Sequence, residues 1–559
     1  MKIDNLELDP RELYFLPLGG SEQFGVNFNL YAHRGQWLAV DLGIGFADHR
    51  YPGIDILLPD PAFLEERQED LVGLIVTHAH EDHVGAIPYL WPRLKCPVWC
   101  SPFTAQVLKK KINEYPECRD MPINIVNVGD KFKAGAFTLH AVHVAHSIPD
   151  TFALVIETKA GRVVHSGDWN LDPTPVINGP TDSDTLKAFG DKGVMAYVGD
   201  STNANVPGRS GSELDVEHGL TKLFGEIKGR IAITMFASNV GRMRSIAKAA
   251  LAHGRRVALV GRSLQNMSAA GYECGYLEDL PLFLDFEELD DLPPEECVLV
   301  VTGSQGEARA ALARIARGDY RGISFGRGDT VIFSARPIPG NEAEINAVQN
   351  DLVRAGVQVI AVRDTPHTIH VSGHPCQDEL ADMYQWVRPA LVVPVHGEHT
   401  HLVAQSEFAR LCQIENVIVP NNGSVIQLSG TPGIVGHVET GLLAVEPRRV
   451  LPSDHAAIAE RRKLQFTGAV HVTVVLDKRG DLAGDVLVST MGLIDHENEE
   501  EVKLERDMVM EVEDILADME REERYDDHLV QEEVRIGVRR FVQDILNMKP
   551  RAAVHIIRV

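Results

Sequence analysis

The sequence predicts an α/β protein with more than one domain, and three stretches support this fold class. Residues 71–76 form an apolar run with the length and β-branched content of a buried strand. Between residues 209 and 352, strand-like runs alternate with helix-length segments, which is typical of a parallel sheet covered by helices. Residues 458–559 combine alternating stretches with helical spacing, which predicts a small α/β domain. A chain of 559 residues is also too long for a single hydrophobic core.

The composition is that of a globular protein of the cytoplasm. No apolar run reaches the ~18 residues that a bilayer-spanning helix needs, and the first residues lack the basic start and apolar core of a secretory signal. The 7 cysteines are scattered and odd in number, which favours free thiols over a disulfide framework. We therefore expect a cytoplasmic protein with no membrane partner.

The charge of the chain is strongly negative. A formal net charge of −26 argues against a protein that coats nucleic acid nonspecifically, because phosphate contacts come from clustered Lys and Arg. Much of the acid lies between residues 497 and 527. The basic runs Lys109–Lys111, Arg242–Arg244 and Arg255-Arg256 could line a local channel, although such runs more often form a solvated face.

The stretch after the strand at 71–76 contains the densest set of potential metal ligands, Thr77-His-Ala-His-Glu-Asp-His83. His78 and His80 are two positions apart, so an extended backbone directs both imidazoles to one side. Asp82 and His83 turn over the strand end and can face a second ion. Imidazole and carboxylate together favour two zinc ions, with Mn²⁺ or Mg²⁺ as alternatives. A polar loop whose histidines satisfy backbone groups is the other interpretation, and the density of ligand-type residues favours metal.

This His-x-His-x-Asp-His pattern after a buried strand resembles the signature of the metallo-β-lactamase fold. One further motif, Asp41-Leu-Gly43, precedes this pattern. The others come after it in order along the chain, namely His146, Asp168, Asp200-Ser-Thr-Asn203, His370-Val-Ser-Gly-His374 and Pro394-Val-His-Gly-Glu398. With the inserted α/β unit, they resemble the β-CASP branch of that fold and, within it, the bacterial ribonuclease J family. The resemblance covers about residues 13–440, and the joint occurrence of the motifs is more specific than any single one.

The resemblance implies an αββα metallo-β-lactamase sandwich that a β-CASP α/β domain interrupts, followed by a small C-terminal α/β domain. The first part of the sandwich would span residues 1–208, the β-CASP domain 209–352 and the second part of the sandwich 353–440. Residues 441–457 contain Gly, Pro and Arg without strong periodicity, which predicts a linker. Residues 458–559 contain no ligand cluster, and the resemblance implies that they form an assembly domain that supports a homodimer or homotetramer.

The resemblance also implies which residues bind the two metals. The expected ligands are His78, His80, Asp82, His83, His146, Asp168 and His396, with Asp168 bridging both ions through its two oxygens. Asp41 and Asp200 would orient ligand histidines from behind; without the resemblance, Asp41 could equally be a turn or cap residue. Three other histidines, His140, His143 and His165, are expected to be structural.

The chemistry expected of such a site is in-line attack of a metal-activated water on phosphorus, with Asp82 and Asp168 holding the metals. The leaving 3′ oxygen needs a proton, and His374 is the candidate general acid because the ligand set is complete without it. His370 and the backbone of Val371, Ser372 and Gly373 would hold phosphate together with His374, since glycine allows close approach and amides suit an anion.

Two further segments suit a terminal phosphate, because each places a small hydroxyl residue and an arginine just past a strand end. They are Phe236–Arg242, with Ser238 and Asn239, and Phe333–Pro337, with Ser334. A helix cap is the alternative for each segment. If they bind a 5′ monophosphate, the enzyme would remove one nucleotide at a time from the 5′ end.

The resemblance therefore implies a zinc-dependent ribonuclease that acts on single-stranded RNA. It also implies 5′-to-3′ exonuclease activity favouring 5′-monophosphate ends, together with endonuclease activity, in RNA decay and in rRNA and mRNA maturation. A DNA-directed β-CASP nuclease is the nearest alternative, because the ligands do not distinguish ribose from deoxyribose. A small-ester metallohydrolase fits less well, since it has no use for the inserted unit. A non-catalytic RNA-binding subunit also fits less well, because every ligand position is filled.

Overall fold

The computed structural model describes residues 2–3, 6–289, 292–338, 340–447 and 449–559. The chain divides into two compact units. The first comprises Met1–Gly45 and Leu58–Leu442, and the second comprises Phe46–Leu57 and Leu443–Val559. The assignment of Phe46–Leu57 to the second unit differs from the contiguous segments that the sequence suggests, because a sequence pattern does not show which distant segment a short stretch packs on.

Two β-sheets form the larger part of the first unit. In spatial order the eight-stranded sheet contains Ile123–Ile125, Val98–Cys100, Leu71–Val76, Gln36–Val40, Phe28–His33, Tyr14–Gly19, Ser424–Gln427 and Gly433–His437. The six-stranded sheet contains Lys131–Ala134, Phe137–His143, Phe152–Glu157, Arg162–His165, Val194–Asp200 and Pro389–Val395. Each sheet therefore combines strands that precede the insertion with strands that follow it.

The two sheets pack face to face through one hydrophobic core. Phe15, Ile75, Leu154 and Val393 are buried in the same cluster, although the first two belong to one sheet and the last two to the other. The outer face of the six-stranded sheet is covered by the helices Ser183–Asp191, Gln377–Val387 and His399–Leu411. Three further helices follow the ligand-rich strand at Glu81–Val84, Ile87–Leu94 and Pro102–Ile112. This layered arrangement confirms the predicted α/β class.

The insertion is a parallel α/β domain, as its alternating pattern predicts. Its sheet contains Arg256–Val260, Cys297–Val301, Ile231–Thr234, Thr330–Phe333 and Gln358–Ile360 in spatial order, and every neighbouring pair is parallel. Its helices are Glu213–Glu226, Val240–Leu251, Arg262–Glu273, Ala311–Ala316 and Glu342–Arg354. Both faces of the sheet are buried, which explains the continuous apolar runs of its strands. The strand Gln358–Ile360 lies beyond the expected boundary at 352, since three residues are too short for a periodic signal.

The second unit contains a three-stranded sheet with helices on one face. The strands Leu487–Met491, Ala469–Leu476 and Arg551–Arg558 lie side by side, and the helices Glu499–Asp518 and Asp527–Leu546 pack against them. The hairpin, the helix and the terminal strand that the sequence predicts here are all present. The expected linker at 441–457 contains the paired strands Leu442–Glu446 and Arg449–Pro452 and the start of the helix Ala456–Thr467; its residue 448 lies outside the described residues.

Short elements complete the described part of the chain. They are the strands Lys2–Ile3, Leu6–Glu7, Ser21–Glu22, Gly45–Phe46, Ile56–Pro59 and Gly397–Glu398 and the helix Ala62–Glu65. The pair Ser21–Glu22 and Gly397–Glu398 is parallel and places the segment after His396 beside the first turn of the chain. No helix of the described residues is long and apolar enough to cross a membrane.

Candidate metal centre

The ligand-rich loop lies at the carboxyl end of the strand Leu71–Val76, as the sequence predicts. The backbone leaves the strand at Thr77 and enters the short helix Glu81–Val84 at His80. In this turn the Nε2 atom of His78 lies 3.1 Å from the Nδ1 atom of His80, and both rings face the same side. Asp82 and His83 belong to the helix and face the other side of the centre.

The folded chain brings the predicted ligands together in two groups. The ligand atoms of the first group, and likewise those of the second, all lie within 4.8 Å of one another. The first group contains His78, His80, His146 and Asp168, and the second contains Asp82, His83, Asp168 and His396. Asp168 belongs to both groups, as a bridging carboxylate must. Its Oδ2 atom lies 3.2 Å from His83 Nε2 and 3.6 Å from both His78 Nε2 and His396 Nε2.

The donor set fits zinc. Each group offers imidazole nitrogens and carboxylate oxygens, which are the ligands that zinc takes in catalytic sites. The Oδ1 atom of Asp168 is buried and has no hydrogen-bond partner within the part of the chain that the structure describes. A buried carboxylate oxygen without a partner is costly, and a cation would satisfy it. The sequence also offers no thiolate here, since the 7 cysteines lie outside both groups.

Burial sets the protonation of the first group. It lowers the pKa of His80 to about 4 and that of His146 to about 3, and it lowers the pKa of His78 well below its usual value. These imidazoles are therefore neutral at pH 7, which is the form that binds a metal. In the second group, nearby carboxylates outweigh the effect of burial on the histidine pKa values.

In the second group, imidazoles and carboxylates stabilise each other's charged forms. Burial alone would lower the pKa of His83 and of His396, yet Asp168 and the neighbouring carboxylates raise both well above the usual value. Burial alone would raise the pKa of Asp82 and of Asp168, yet the imidazoles lower both. The carboxylates thus stay ionised, and a metal ion would replace the protons as their counter-charge.

Asp41 and Asp200 each contact a histidine of the centre, although Asp200 lies closer to His374 than to the expected ligand His396. The carboxylate of Asp41 accepts a hydrogen bond from His83 Nδ1 (2.8 Å) and another from the backbone N–H of Thr77 (2.8 Å). Asp200 Oδ2 lies 2.8 Å from Nδ1 of His374 and orients that ring. Both carboxylates are buried, so each fixes the ring that it contacts.

Thr202 is a contributor that the sequence reading missed. Its Oγ1 atom lies 2.9 Å from Nδ1 of His396 and so orients the ligand nitrogen Nε2 toward Asp82, at 3.1 Å. The backbone at His396 has a φ of 56°, a strained value for a residue with a side chain. The only sequence signal for Thr202 is its place two residues after Asp200.

His374 stands beside the ligands and is partly exposed. Its Nδ1 atom is 2.8 Å from Asp200 and 3.9 Å from Asp168 Oδ2. Burial lowers its pKa, but Asp200 more than offsets this and the pKa is raised overall. Asp200, His374 and His396 also form a third group with metal-ligand spacing, which the sequence did not predict. The position of His374 is compatible with its expected role as a proton donor.

A narrow cleft borders the centre between the sandwich and the inserted domain. The metal ligand His146 lines it, as do Ser372 and Gly373 of the expected phosphate loop and Asn239 of the inserted domain. Asn239 also caps the helix Val240–Leu251, because its Oδ1 accepts a hydrogen bond from the N–H of Arg242. Both interpretations of this segment, the cap and the phosphate contact, are therefore compatible with its place.

The other expected phosphate residues lie deeper. Ser334 is buried, and its Oγ donates to the carbonyl of Ile369 and accepts from Arg242. His370 lies 3.5 Å from the Arg242 guanidinium, and burial followed by nearby Arg242 and Arg336 lowers its pKa to about 3. Ser238 is partly exposed at its strand end, and Val371 packs against the core of the inserted domain. The phosphate role of these residues stays a prediction.

The histidines expected to be structural lie outside the three ligand groups of the described residues. His140 contacts Glu157, His143 contacts the carbonyl of Gly179 and His165 contacts the hydroxyl of Tyr31. The basic runs are largely paired within the protein. Lys110 and Lys111 contact Glu273 and Glu81, Arg242 and Arg244 contact Glu213 and Asp279, and Arg255 donates to backbone carbonyls.

The facing sheets, the shared aspartate and the inserted parallel domain define a metal-dependent hydrolase, and family comparisons specify its class. Residues 48–185 match a beta-lactamase superfamily domain and residues 228–352 match the ribonuclease J beta-CASP domain. Residues 359–420 match a Zn-dependent metallo-hydrolase RNA specificity domain, and residues 456–559 match the ribonuclease J C-terminal domain. The protein is therefore a metal-dependent nuclease that binds RNA.

Whole-chain relatives specify the family. The chain is 42% identical to ribonuclease J of Sinorhizobium meliloti over 554 residues, which covers 98% of each chain. It is 39% identical to ribonuclease J of Mycolicibacterium smegmatis over 478 residues, or 84% of each chain. The chain belongs to the ribonuclease J family. A solved structure of a protein of unknown function from Enterococcus faecalis V583 shares the fold, with a TM-score of 0.53, 17% identity and coverage of 74% of this chain and 100% of that one.

Proposed function

We propose that this protein is a two-zinc ribonuclease that removes nucleotides from the 5′ end of RNA, prefers a 5′ monophosphate and also cuts internally. The observation that carries the proposal is the pair of ligand groups that share Asp168, because the loop with Ser372 and Gly373 lies directly beside one of their histidines, His146.

The two ligand groups would each hold one ion, with Asp168 shared between them. Bound zinc would supply a water nucleophile at neutral pH and withdraw charge from a phosphate oxygen. The three histidines of the first group favour zinc over Mg²⁺, which prefers oxygen ligands, while Mn²⁺ is the closer alternative.

His374 acts as the general acid in this proposal. Because Asp200 contacts its Nδ1 atom, the Nε2 atom is the one that can face substrate. Asp200 also favours the protonated ring, which therefore has a proton to give to the departing 3′ oxygen. The fragment that leaves carries the 3′ hydroxyl, and the remaining RNA begins with a 5′ phosphate.

The terminal phosphate would lie at the loop from His370 to His374, with Ser238 and Asn239 on the opposite side of the cleft. Ser372 and Gly373 line the cleft, and a Cβ at Gly373 would come 2.9 Å from the His146 ring, so glycine keeps this approach open. His370 is neutral and would act as a hydrogen-bond partner. Ser334 and Arg242 would support the loop from below through Ile369.

A phosphate site one nucleotide from the metals accounts for stepwise removal from the 5′ end. Internal cutting follows when RNA crosses the metals without a terminal phosphate in that site. In the cytoplasm such an enzyme would serve RNA decay and the maturation of rRNA and mRNA. The segment 458–559 would act as an assembly domain of a homodimer or homotetramer, a point that analytical ultracentrifugation tests directly.

The competing functions predict different products. A DNA-directed nuclease would cleave a DNA strand at least as fast as RNA, a small-ester hydrolase would cleave neither, and a non-catalytic subunit would bind RNA without cutting it. The test is product analysis of an unstructured RNA with a 5′ monophosphate and a fluorophore at its 3′ end. The proposal predicts nucleoside 5′-monophosphates and a labelled fragment that shortens one nucleotide at a time. Release of labelled mononucleotide first would overturn the direction.

A further inference from the structure

The side-chain amide of Asn203 makes two contacts with the loop that precedes and includes His374. Asn203 is buried, and its Nδ2 atom donates to Ser372 Oγ (2.8 Å) and to the carbonyl of His374 (3.1 Å). Both amide protons are therefore used on one loop. The function described above gives Asn203 no role, and its residue type does not suit a metal site rich in histidine.

The chain around Asn203 is held firmly. Thr202 N–H donates to Asp200 Oδ1, Ala204 N–H donates to the carbonyl of Ser201 and Val206 N–H donates to the carbonyl of Asn203. This turn follows the strand Val194–Asp200 in the six-stranded sheet. The amide of Asn203 thus belongs to the rigid sandwich, whereas Ser372 belongs to the loop at the cleft.

The contacts fix the direction of the Ser372 hydroxyl. A serine oxygen accepts at most two hydrogen bonds and donates one. Ser372 Oγ accepts from Asn203 Nδ2 (2.8 Å) and from the N–H of His374 (3.1 Å), and these are its contacts among the described residues. Both acceptor positions are filled, so the hydroxyl can only donate. Ser372 lines the cleft, where a donor suits the oxygens of a phosphate.

We propose that Asn203 is a positioning residue that makes the Ser372 hydroxyl an obligatory donor and thereby sets the preference for a 5′ phosphate. The proposal rests on the ribonuclease function proposed above and adds the residue that determines its end specificity. Asn170 supports the same loop, because its Nδ2 donates to the carbonyl of Ser372 (3.2 Å). That bond holds the backbone, whereas Asn203 alone of the two contacts the hydroxyl.

The test compares cleavage of 5′-monophosphate and 5′-hydroxyl RNA by the wild type, Asn203→Ala, Asn203→Asp, Ser372→Ala and Asn203→Ala/Ser372→Ala. Loss of one hydrogen bond to a charged phosphate predicts about a tenfold fall in the preference for monophosphate RNA in Asn203→Ala, expressed in KM more than in kcat. Inhibition by uridine 5′-monophosphate should weaken by the same factor. Asn203→Asp should lose more of the preference for monophosphate RNA, because its carboxylate accepts the serine proton and repels phosphate.

The double variant separates positioning from a general structural role. If Asn203 acts through Ser372, the double variant loses no more preference than Ser372→Ala alone. If the losses of the two single variants multiply in the double variant, the inference is wrong. An Asn203→Ala enzyme with the wild-type preference for monophosphate RNA would also overturn it. Asn124→Ala is the matched control, since its amide donates to the carbonyl of Val98 away from the cleft. A wild type without any monophosphate preference would instead refute the proposed function, which keeps the two failures distinct.

Discussion

Asp168 is the residue on which both proposed metal positions would depend, because its carboxylate belongs to both ligand groups. Asp168→Asn keeps the shape of the side chain but removes the charge that two cations share. We expect cleavage to fall about a thousandfold, since losing the shared ligand disturbs both ions at once. The measurement is the initial rate together with the metal content of the purified protein.

The control for Asp168 is Glu157→Gln, which removes a carboxylate that contacts His140 and Arg162 on the same sheet. It should retain the wild-type rate and metal content. An Asp168→Asn protein that cleaves RNA within tenfold of the wild type would contradict the bridging role.

Thr202 yields a second prediction at the residue scale. Its hydroxyl orients the His396 ring through Nδ1. Removal of such a supporting contact typically costs 10- to 100-fold in metal affinity or activity, so we expect about that loss in Thr202→Val. Thr202→Ser keeps the hydroxyl and should restore most of the activity. A titration of activity against free zinc measures the loss, and equal affinities in both variants would contradict it.

At the same scale, the sequence predicts the expected metal ligands but misses the polar residues that orient the side chains of the site. The seven expected ligands assemble in two groups. They are recognisable in the sequence because clusters of histidine and carboxylate residues at strand ends have few other uses. Thr202 and Asn203 are ordinary turn residues in a sequence, and only the fold shows that they contact His396 and Ser372. Their role depends on segments about 170 to 194 residues away along the chain, which no local pattern encodes.

At the scale of elements, Arg242 joins two helices of the inserted domain through a buried ion pair and also contacts the segment that precedes the expected phosphate loop. The guanidinium of Arg242, on the helix Val240–Leu251, contacts Glu213 at the start of the helix Glu213–Glu226 (2.6 Å) and also donates to the carbonyl of Ile369. Arg242→Met removes the charged partner of the Glu213 carboxylate, which keeps a hydrogen bond from Asn239 Nδ2 (3.2 Å). We expect the free energy of unfolding of the first unit to fall by about 3 kcal/mol, the lower end of the cost of breaking a buried ion pair.

Urea denaturation of Arg242→Met measures this loss. The double variant Arg242→Met/Glu213→Gln removes both charges, so it should regain part of the lost stability. A double variant as unstable as the single one would show that packing of the arginine, and not the ion pair, holds these helices.

Strands were predicted best where they are buried on both sides. The apolar runs at Leu71–Val76 and Cys297–Val301 stand out because a central strand has no polar face. Short edge elements such as Gln358–Ile360, and the paired strands Leu442–Glu446 and Arg449–Pro452, are stabilised by their neighbours and carry little periodicity of their own. Their existence depends on tertiary context, so the sequence alone does not reveal them.

At the scale of the whole molecule, metal binding and stability should be linked in one unit only. The ligand groups lie in the first unit, whereas the second unit has its own core. Free zinc at about 100 times its dissociation constant would stabilise the first unit by about 2.7 kcal/mol. Calorimetry with and without a chelator should therefore shift the unfolding transition of the first unit and leave that of residues 456–559 in place. Equal shifts of both transitions would contradict this assignment.

In the proposed function, a terminal phosphate in the cleft directs the metal centre to the 5′ end. The most direct test is a time course on one RNA sequence with a 5′ monophosphate, a 5′ triphosphate or a 5′ hydroxyl, beside a DNA strand of the same sequence. We expect the fastest mononucleotide release from monophosphate RNA. Equal internal cutting of all three RNAs would contradict the phosphate site, and cleavage of DNA without cleavage of RNA would contradict the ribonuclease assignment itself.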